Sequence, residues 1–367
     1  MKQIKKPIRA QWVIAADILL AGILLIVFAL FHHVLPSKLA DAPALDYTQE
    51  DGGTDWQIPD DKLPTASVLP TAESTPEAQT ASATVQPEPT AVPTPTPTPE
   101  PDSVGVFANK YADKFITGEP VVSESDGLWS YVSENINVTV TKMRHTAGSD
   151  TADVYVADIY LKNIKSLVSG FAKDVYGTGN YEWLTAISER YGAVLSVNGD
   201  FYSTRKYGAV IRNGKAYRTK HSNLDACVIY LDGSMRTFDP PAFKAETEVK
   251  HGAWQAWNFG PRLLDDNGQP MTDFNSNVGK HNPRTAIGCF EPGHYCFVVV
   301  DGRTGNSNGL KLTDLSRFMY DLGCTAAYNL DGGQSSSMAW FDKVISVPDE
   351  GGRKISDNVM ILDGFGG

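Results

Sequence analysis

The sequence predicts an α+β domain: a mixed, largely hairpin-linked sheet with a few packed helices, preceded by a transmembrane helix and a disordered Pro/Thr-rich linker. Three observations carry that reading. Short alternating or apolar runs outnumber helical patterns over residues 103–367. Asn213-Gly214 and Asp232-Gly233 stand between such runs, and these dipeptides are strong hairpin turns. Helical spacing of apolar residues is confined to a few segments, chiefly Tyr181–Tyr191 and Leu312–Leu322.

The chain opens with Lys2, Lys5, Lys6 and Arg9 and no acid before residue 12. An apolar run follows from Trp12 to Phe31, interrupted only by Asp17. About 20 apolar residues cross a bilayer as a helix. The basic residues should stay in the cytoplasm, which puts the rest of the chain outside. Residues 1–11 therefore read as a cytoplasmic basic tail and 12–35 as an uncleaved signal anchor. The rival is a cleaved signal peptide, whose apolar core is normally only about 7–15 residues long. Ala40-Asp41-Ala42 mimics a cleavage site, but Pro43 would follow the cut and hinder it.

Residues 36–102 read as a disordered spacer. Pro, Thr, Ala, Ser, Glu and Gln dominate, aromatics vanish after Trp56, and the stretch closes on alternating Pro and Thr up to Pro99. Such a composition buries no core. In polyproline II, at about 3.1 Å per residue, its roughly sixty residues from Asp41 to Asp102 reach on the order of 150–190 Å.

Residues 103–367 are the folded part. A helix is predicted at Val106–Phe115, then strands at Asn137–Thr141 and Val154–Leu161. The helix Tyr181–Tyr191 places Leu184, Ile187 and Tyr191 on one side. Strands follow at Ala193–Val197, Val210-Ile211, Ala226–Leu231, Leu263-Leu264, Ala286–Phe290, Tyr295–Val300 and Cys324–Leu330. The helix Leu312–Leu322 carries Leu312, Leu315, Phe318, Met319 and Leu322 at helical spacing, and Gly323 caps its C-terminus.

Polar residues gather where these strands end. Tyr328–Met338 places Asn329, Asp331, Ser335 and Ser336 around the turn Gly332-Gly333, just past an apolar strand. Asn198-Gly199-Asp200-Phe201-Tyr202 follows the strand Ala193–Val197. Phe259-Gly260-Pro261 precedes Leu263-Leu264, Asn282-Pro283-Arg284-Thr285 enters a strand, and Asp301-Gly302-Arg303 leaves one. Each segment alone is ordinary turn chemistry. Together they bring carboxylates and two arginines to strand ends, a mixed-sign arrangement. Arginine forks suit phosphate or carboxylate ligands. Carboxylates suit acid–base or nucleophilic work on a sugar.

On these segments the chain resembles the phosphodiester glycosidases. The matching residues stand in family order: Val156–Ile159, Val197–Tyr202, Phe259–Pro261, Asn282–Thr285, Val300–Arg303, Asn329–Gly333 with Ser335 and Ser336, then Arg353, Ser356 and Asn358. The resemblance covers about residues 154–362 and leaves 103–150 outside; Gln334 stands where the family often has Gly. It implies hydrolysis of a sugar-1-phosphodiester, with release of the sugar; the expected outside location makes the substrate a cell-surface or environmental glycan. A phosphate ester is already a weakly basic leaving group, so one carboxylate with cationic support can replace the usual glycosidase pair. In that scheme Arg284 and Arg303 meet the phosphate. Asp200 or Asp331 is nucleophile or general base, with Asp301 a third candidate. Asn198, Thr285, Asn329, Gly332, Gly333, Ser335 and Ser336 line the sugar site.

The remaining chemistry is less directed. A formal net charge of −11 argues against nucleic acid as a partner. The histidines are scattered, no calcium-loop spacing occurs, and neither a metal nor another cofactor is expected. His221, beside Ser222 and Asn223, reads as a surface-loop residue or a pocket lining. G-x-S-x-G is absent, which excludes the serine nucleophile elbow. Four cysteines are too few for a disulfide scaffold; Cys289 and Cys296 either meet across a hairpin or stay as free thiols. Two other functions use the same residues: a glycan-binding or exopolysaccharide-assembly module without turnover, and a phosphodiesterase that cuts P–O.

Overall fold

The structure, a computed structural model, describes residues 104–148 and 150–364. The chain divides into two units, Met1–Ala81 and Ser82–Gly367, and every described residue lies in the second. The expected cytoplasmic tail, membrane helix and spacer fall outside the described residues. Among the described residues, no helix is long and apolar enough to cross a membrane.

The domain opens with a meander of β1 (Val121–Ser125), β2 (Leu128–Val132), β3 (Ile136–Ala147) and β4 (Asp150–Leu161). After β5 (Leu167–Val168) and helix α1 (Leu184–Tyr191) comes β6 (Leu195–Asn198). Two hairpins follow, β7 (Val210–Arg212) with β8 (Lys215–Arg218) and β9 (Ala226–Tyr230) with β10 (Met235–Phe238), joined through α2 (Ala245–Lys250) to β11 (Ala253–Trp257). The Asn213-Gly214 and Asp232-Gly233 turns close these hairpins as the sequence predicts. Then β12 (Arg284–Glu291) and β13 (His294–Val300) pair, and α3 (Leu312–Asp321) leads to β14 (Ala326–Asn329). The last strands are β15 (Met338–Trp340), β16 (Lys343–Val344) and β17 (Asn358–Ile361).

These strands build a seven-stranded sheet, β1-β2-β3-β4-β13-β12-β14, and two five-stranded sheets, β10-β9-β11-β7-β8 and β16-β15-β6-β17-β5. The α+β class fits, with sheet predominating over a few helices. The expected mixed sheet is corrected, because every pairing between these strands is antiparallel. The reason is β12. Helix α3 is the crossover that parallel neighbours require, but β12 lies between the two strands it joins and runs against both.

Helix α3 forms because Leu312, Leu315, Phe318 and Met319 share one face, and all four are buried. Gly323, at φ 94°, ends it. That face packs on Val154, Ala286, Val298, Val300 and Ala327 of the seven-stranded sheet. Leu315→Ala would remove about 2–5 kcal/mol there. The opposite face of the sheet, with Val138, Ile159, Ile287 and Phe297, meets β6, β9, β11, β15 and β17 in the main core.

Two local expectations change. The predicted helix at 106–115 shrinks to a 3-10 turn at Ala112–Lys114. Val106 is bridged to Asn163, and the Phe107 amide donates to the Lys162 carbonyl at 2.8 Å, so strand-like pairing competes with the helix. Leu263-Leu264 makes no strand; its neighbourhood holds only isolated bridges at Arg262 and Leu264. All four cysteines are free and buried. The β12–β13 register pairs Cys289 with Tyr295 and Gly288 with Cys296, which sends Cys289 and Cys296 into different cores. Cys296 instead lies 3.5 Å from Cys324, sulfur to sulfur.

Candidate active site

Strands β6 and β14 belong to different sheets, yet their C-terminal turns touch. The Asp331 amide donates to the Gly199 carbonyl at 3.2 Å. Asn198, the last residue of β6, secures the contact: its Nδ2 donates to the Asp331 carbonyl at 2.8 Å. Its Oδ1 accepts from the Thr285 hydroxyl at 2.7 Å and from the Ser337 amide at 3.3 Å. Asn198 and Thr285 have no exposed surface. They belong to the hydrogen-bonded frame of the site.

The three candidate carboxylates occupy different settings. Asp200 is buried with both oxygens engaged: Oδ1 meets Arg212 Nη2 at 3.1 Å and Oδ2 accepts from the Asn258 amide at 3.0 Å. Asp301 is buried too, its Oδ1 accepting from the Val347 amide at 2.9 Å while its buried Oδ2 has no hydrogen-bond partner among the described residues. Burial pushes its carboxyl up to about 6. Asp331 differs. Its Oδ2 accepts from the Ser335 hydroxyl and from Arg353 Nη2, the latter at 2.7 Å. Its Oδ1 takes no hydrogen bond from the described residues.

The arginines divide as well. Arg284 is buried and committed to main chain: Nε donates to the Leu310 carbonyl at 3.0 Å, and Nη2 to those of Val278 and Lys280 at 2.7 and 2.6 Å. Burial, then the nearby Arg303 charge, lowers its guanidinium to about 10. The structure thus ties Nε and Nη2 of Arg284 to main chain and leaves Nη1 without a hydrogen-bond partner among the described residues. Arg303 does reach the site, its Nη1 beside Gly333. It bonds Asp349 at 2.8 Å and Asn282 at 2.7 Å, and half of its side chain stays exposed.

The other predicted residues cluster around the same turn. Gly332 sits against the Pro283 carbonyl with no room for a side chain, and the Gly333 amide donates to that carbonyl at 3.0 Å. Ser335 and Ser336 are buried, and Ser336 Oγ has no partner among the described residues. Asn329 is turned inward: its Nδ2 donates to the Gly260 and Leu330 carbonyls, both at 2.9 Å, while its buried Oδ1 has no partner among the described residues. His221 is exposed.

Sequence reasoning missed the charges behind Asp200. Arg212, from β7, binds Asp357 Oδ2 through Nε at 2.9 Å and Nη2 at 2.7 Å. Burial pushes the Asp357 carboxyl up to about 7; the Arg212 charge opposes the rise and Asp200 adds to it. Burial alone would lower Arg212, but the two carboxylates outweigh it and raise it. Gly199 needs to be glycine because an added Cβ would strike the Asp357 carboxylate. A signal was present. Asp357 precedes the apolar run Val359–Leu362, so it is polar at a strand end like the residues that were noticed.

The arrangement leaves Asp331 Oδ1 without a hydrogen bond beside a hydrogen-bonded frame. Arg303 and Arg353 stand half-exposed on either side of the Gly332–Ser335 turn. Such a setting suits a substrate with an anionic group next to an electrophilic carbon.

Residues 191–362 match the model of the phosphodiester glycosidase family, and the resemblance read from the sequence is borne out. The SPbeta prophage-derived uncharacterized protein YomE of Bacillus subtilis (strain 168) is 30% identical over 197 residues, covering 51% of this chain and 30% of that protein. Among solved structures, a hypothetical protein from Synechocystis aligns with a TM-score of 0.51 at 13% identity, over 66% of this chain and 68% of the other, a likeness of fold. The zebrafish N-acetylglucosamine-1-phosphodiester alpha-N-acetylglucosaminidase catalytic domain, auto-inhibited by its pro-peptide, aligns with a TM-score of 0.49 at 17% identity, over 72% of this chain and 95% of that one.

Proposed function

We propose that this chain is a membrane-anchored, extracytoplasmic hydrolase that cleaves the bond from anomeric carbon to phosphate oxygen in a sugar-1-phosphodiester. The family match supports the reaction class. The observation that carries the site reading is Asp331: Ser335 and Arg353 fix one carboxylate oxygen, and the other is left for substrate or water. In this reading Asp331 acts at the anomeric carbon as nucleophile or general base. Arg303 attracts the phosphodiester, and Arg353 holds the Asp331 oxygen it meets. Asp200 and Asn198 hold the frame. Water supplies hydroxyl to the anomeric carbon and a proton to the departing phosphate, leaving free sugar and a phosphomonoester.

The N-terminal basic residues and the apolar run after them support the anchor, with the catalytic domain outside. The substrate is then a glycan phosphodiester at the cell surface or beyond it.

The test is turnover of a panel of sugar-1-phosphate diesters in ¹⁸O water. Reducing sugar carrying the label at its anomeric oxygen is the expected result. Label in the phosphate would make the protein a phosphodiesterase that cuts P–O. Binding without release would make it a glycan-binding module.

A further inference from the structure

Phe201 follows Asp200 directly, and its backbone stands at φ 56° and ψ 35°. A bulky side chain rarely adopts this left-handed region, and such outliers concentrate where function requires them. Its ring lies under Arg353, with the guanidinium carbon 4.5 Å from the ring centroid. The edge of the same guanidinium faces the site: Nε donates to Ser335 Oγ at 2.6 Å and Nη2 to Asp331 Oδ2 at 2.7 Å. Tyr181 lies beside the ring, 6.3 Å away between centroids. Phe201, Tyr181 and Arg353 are each only partly buried, so the ring does not simply fill the core.

We propose that Phe201 is a positioning residue: its left-handed backbone sets the ring under Arg353, and the ring fixes the guanidinium in the plane where it meets Ser335 and Asp331. A stacked guanidinium keeps its in-plane N–H groups for carboxylate and hydroxyl partners. Without the ring, Arg353 would swing toward water and release the Asp331 oxygen it now holds. The catalytic part of this inference rests on the reading of Asp331 given above; the geometric part does not. The other charges around Asp331 leave Arg353 as its cation. Arg303 is engaged with Asp349 and Asn282, Glu350 with Gln334, and Arg212 with Asp200 and Asp357.

The test uses the full-length protein in detergent and two variants suited to the left-handed backbone, Phe201→Gly and Phe201→Asn. The Arg353 Nε–H resonance, assigned through Arg353→Lys, reports the contact without any turnover. The expected result is faster exchange of that proton with water in both variants, while Tm holds or rises. kcat should fall by about tenfold to a hundredfold, with KM within about twofold, as displacement of a reacting group does. Phe201→Tyr, which keeps the ring, should restore both readouts. Unchanged Nε–H exchange in the glycine and asparagine variants overturns the proposal whatever the turnover, and so does loss of folding in both. If the wild type releases no sugar from any diester, the hydrolase reading fails, and the exchange measurement still decides the role of Phe201.

Discussion

Arg212 and Asp357 share two hydrogen bonds to one carboxylate oxygen, at 2.9 and 2.7 Å, where solvent does not reach. The same guanidinium extends to Asp200 at 3.1 Å. One positive and two negative groups are thus buried together, and a single proton on Asp357 makes the cluster neutral. Buried charge clusters persist when paired in this way, and breaking them is expensive.

That proton gives stability a pH dependence of definite sign. The Asp357 carboxyl is raised from 3.8 to about 7 by burial. A carboxyl raised in the folded state contributes stability that is fully present below its unfolded pKa and is lost as pH rises through the folded one. Melting curves of wild type and Asp357→Asn should nearly coincide at about pH 4 and separate toward about pH 7, with the wild type falling relative to the variant. Parallel curves across that range would place the proton elsewhere.

Removing the cation is a harsher change. Arg212→Met leaves Asp200 and Asp357 facing each other without a counter-charge. A loss of about 3–5 kcal/mol is expected in urea unfolding. The Asp200 turn should loosen before the rest of the domain, visible as faster amide exchange around Gly199.

Asp331→Asn preserves shape and removes the charge. We expect kcat and kcat/KM to fall together by about 10²–10⁴-fold, the range for a lost acid–base group. Near-wild-type melting should accompany the loss. A lower Tm with intact kcat in the folded fraction would reduce Asp331 to a turn cap.

The two arginines named from sequence should now part company. Arg303→Ala should raise KM for a phosphodiester about ten- to hundredfold, from a lost charge-assisted hydrogen bond of about 1.5–3 kcal/mol, and leave binding of an uncharged glycoside alone. Arg284→Lys should instead lower Tm, because a lysine cannot serve the carbonyls of Leu310, Val278 and Lys280 together. A KM effect at Arg284 without a Tm effect would reverse this assignment.

Much of the fold was legible because periodicity reports burial. Helix α3 and strands β4, β12 and β13 bury the residues their patterns marked. Strand β1 was missed because all five residues are exposed and carry no alternating signal. Strands β15 and β17 were missed because Met338–Trp340 and Asn358–Ile361 are too short to show a period. At the site, sequence found the turns but not the direction of each side chain. Arg284 and Arg303 have the same chemistry and similar strand-end positions. Only the surrounding carbonyls distinguish the inward one: those of 278 and 280 lie in the loop just before it, which carries no periodic signal, and that of 310 lies on a separate segment. Arg212 and Asp357 lie 145 positions apart, a pairing no local pattern reveals.

Strand β6 sits between β15 and β17, and β17 is the last strand of the domain. During synthesis the ribosome makes Asp200 long before the strand that anchors Asp357. Until residue 361 has emerged, Arg212 lacks one of its carboxylates and β6 lacks a neighbour. An incomplete copy therefore lacks both the Arg212–Asp357 pair and one neighbour of β6. The support behind Asp200 is thus the last part of the domain to be completed.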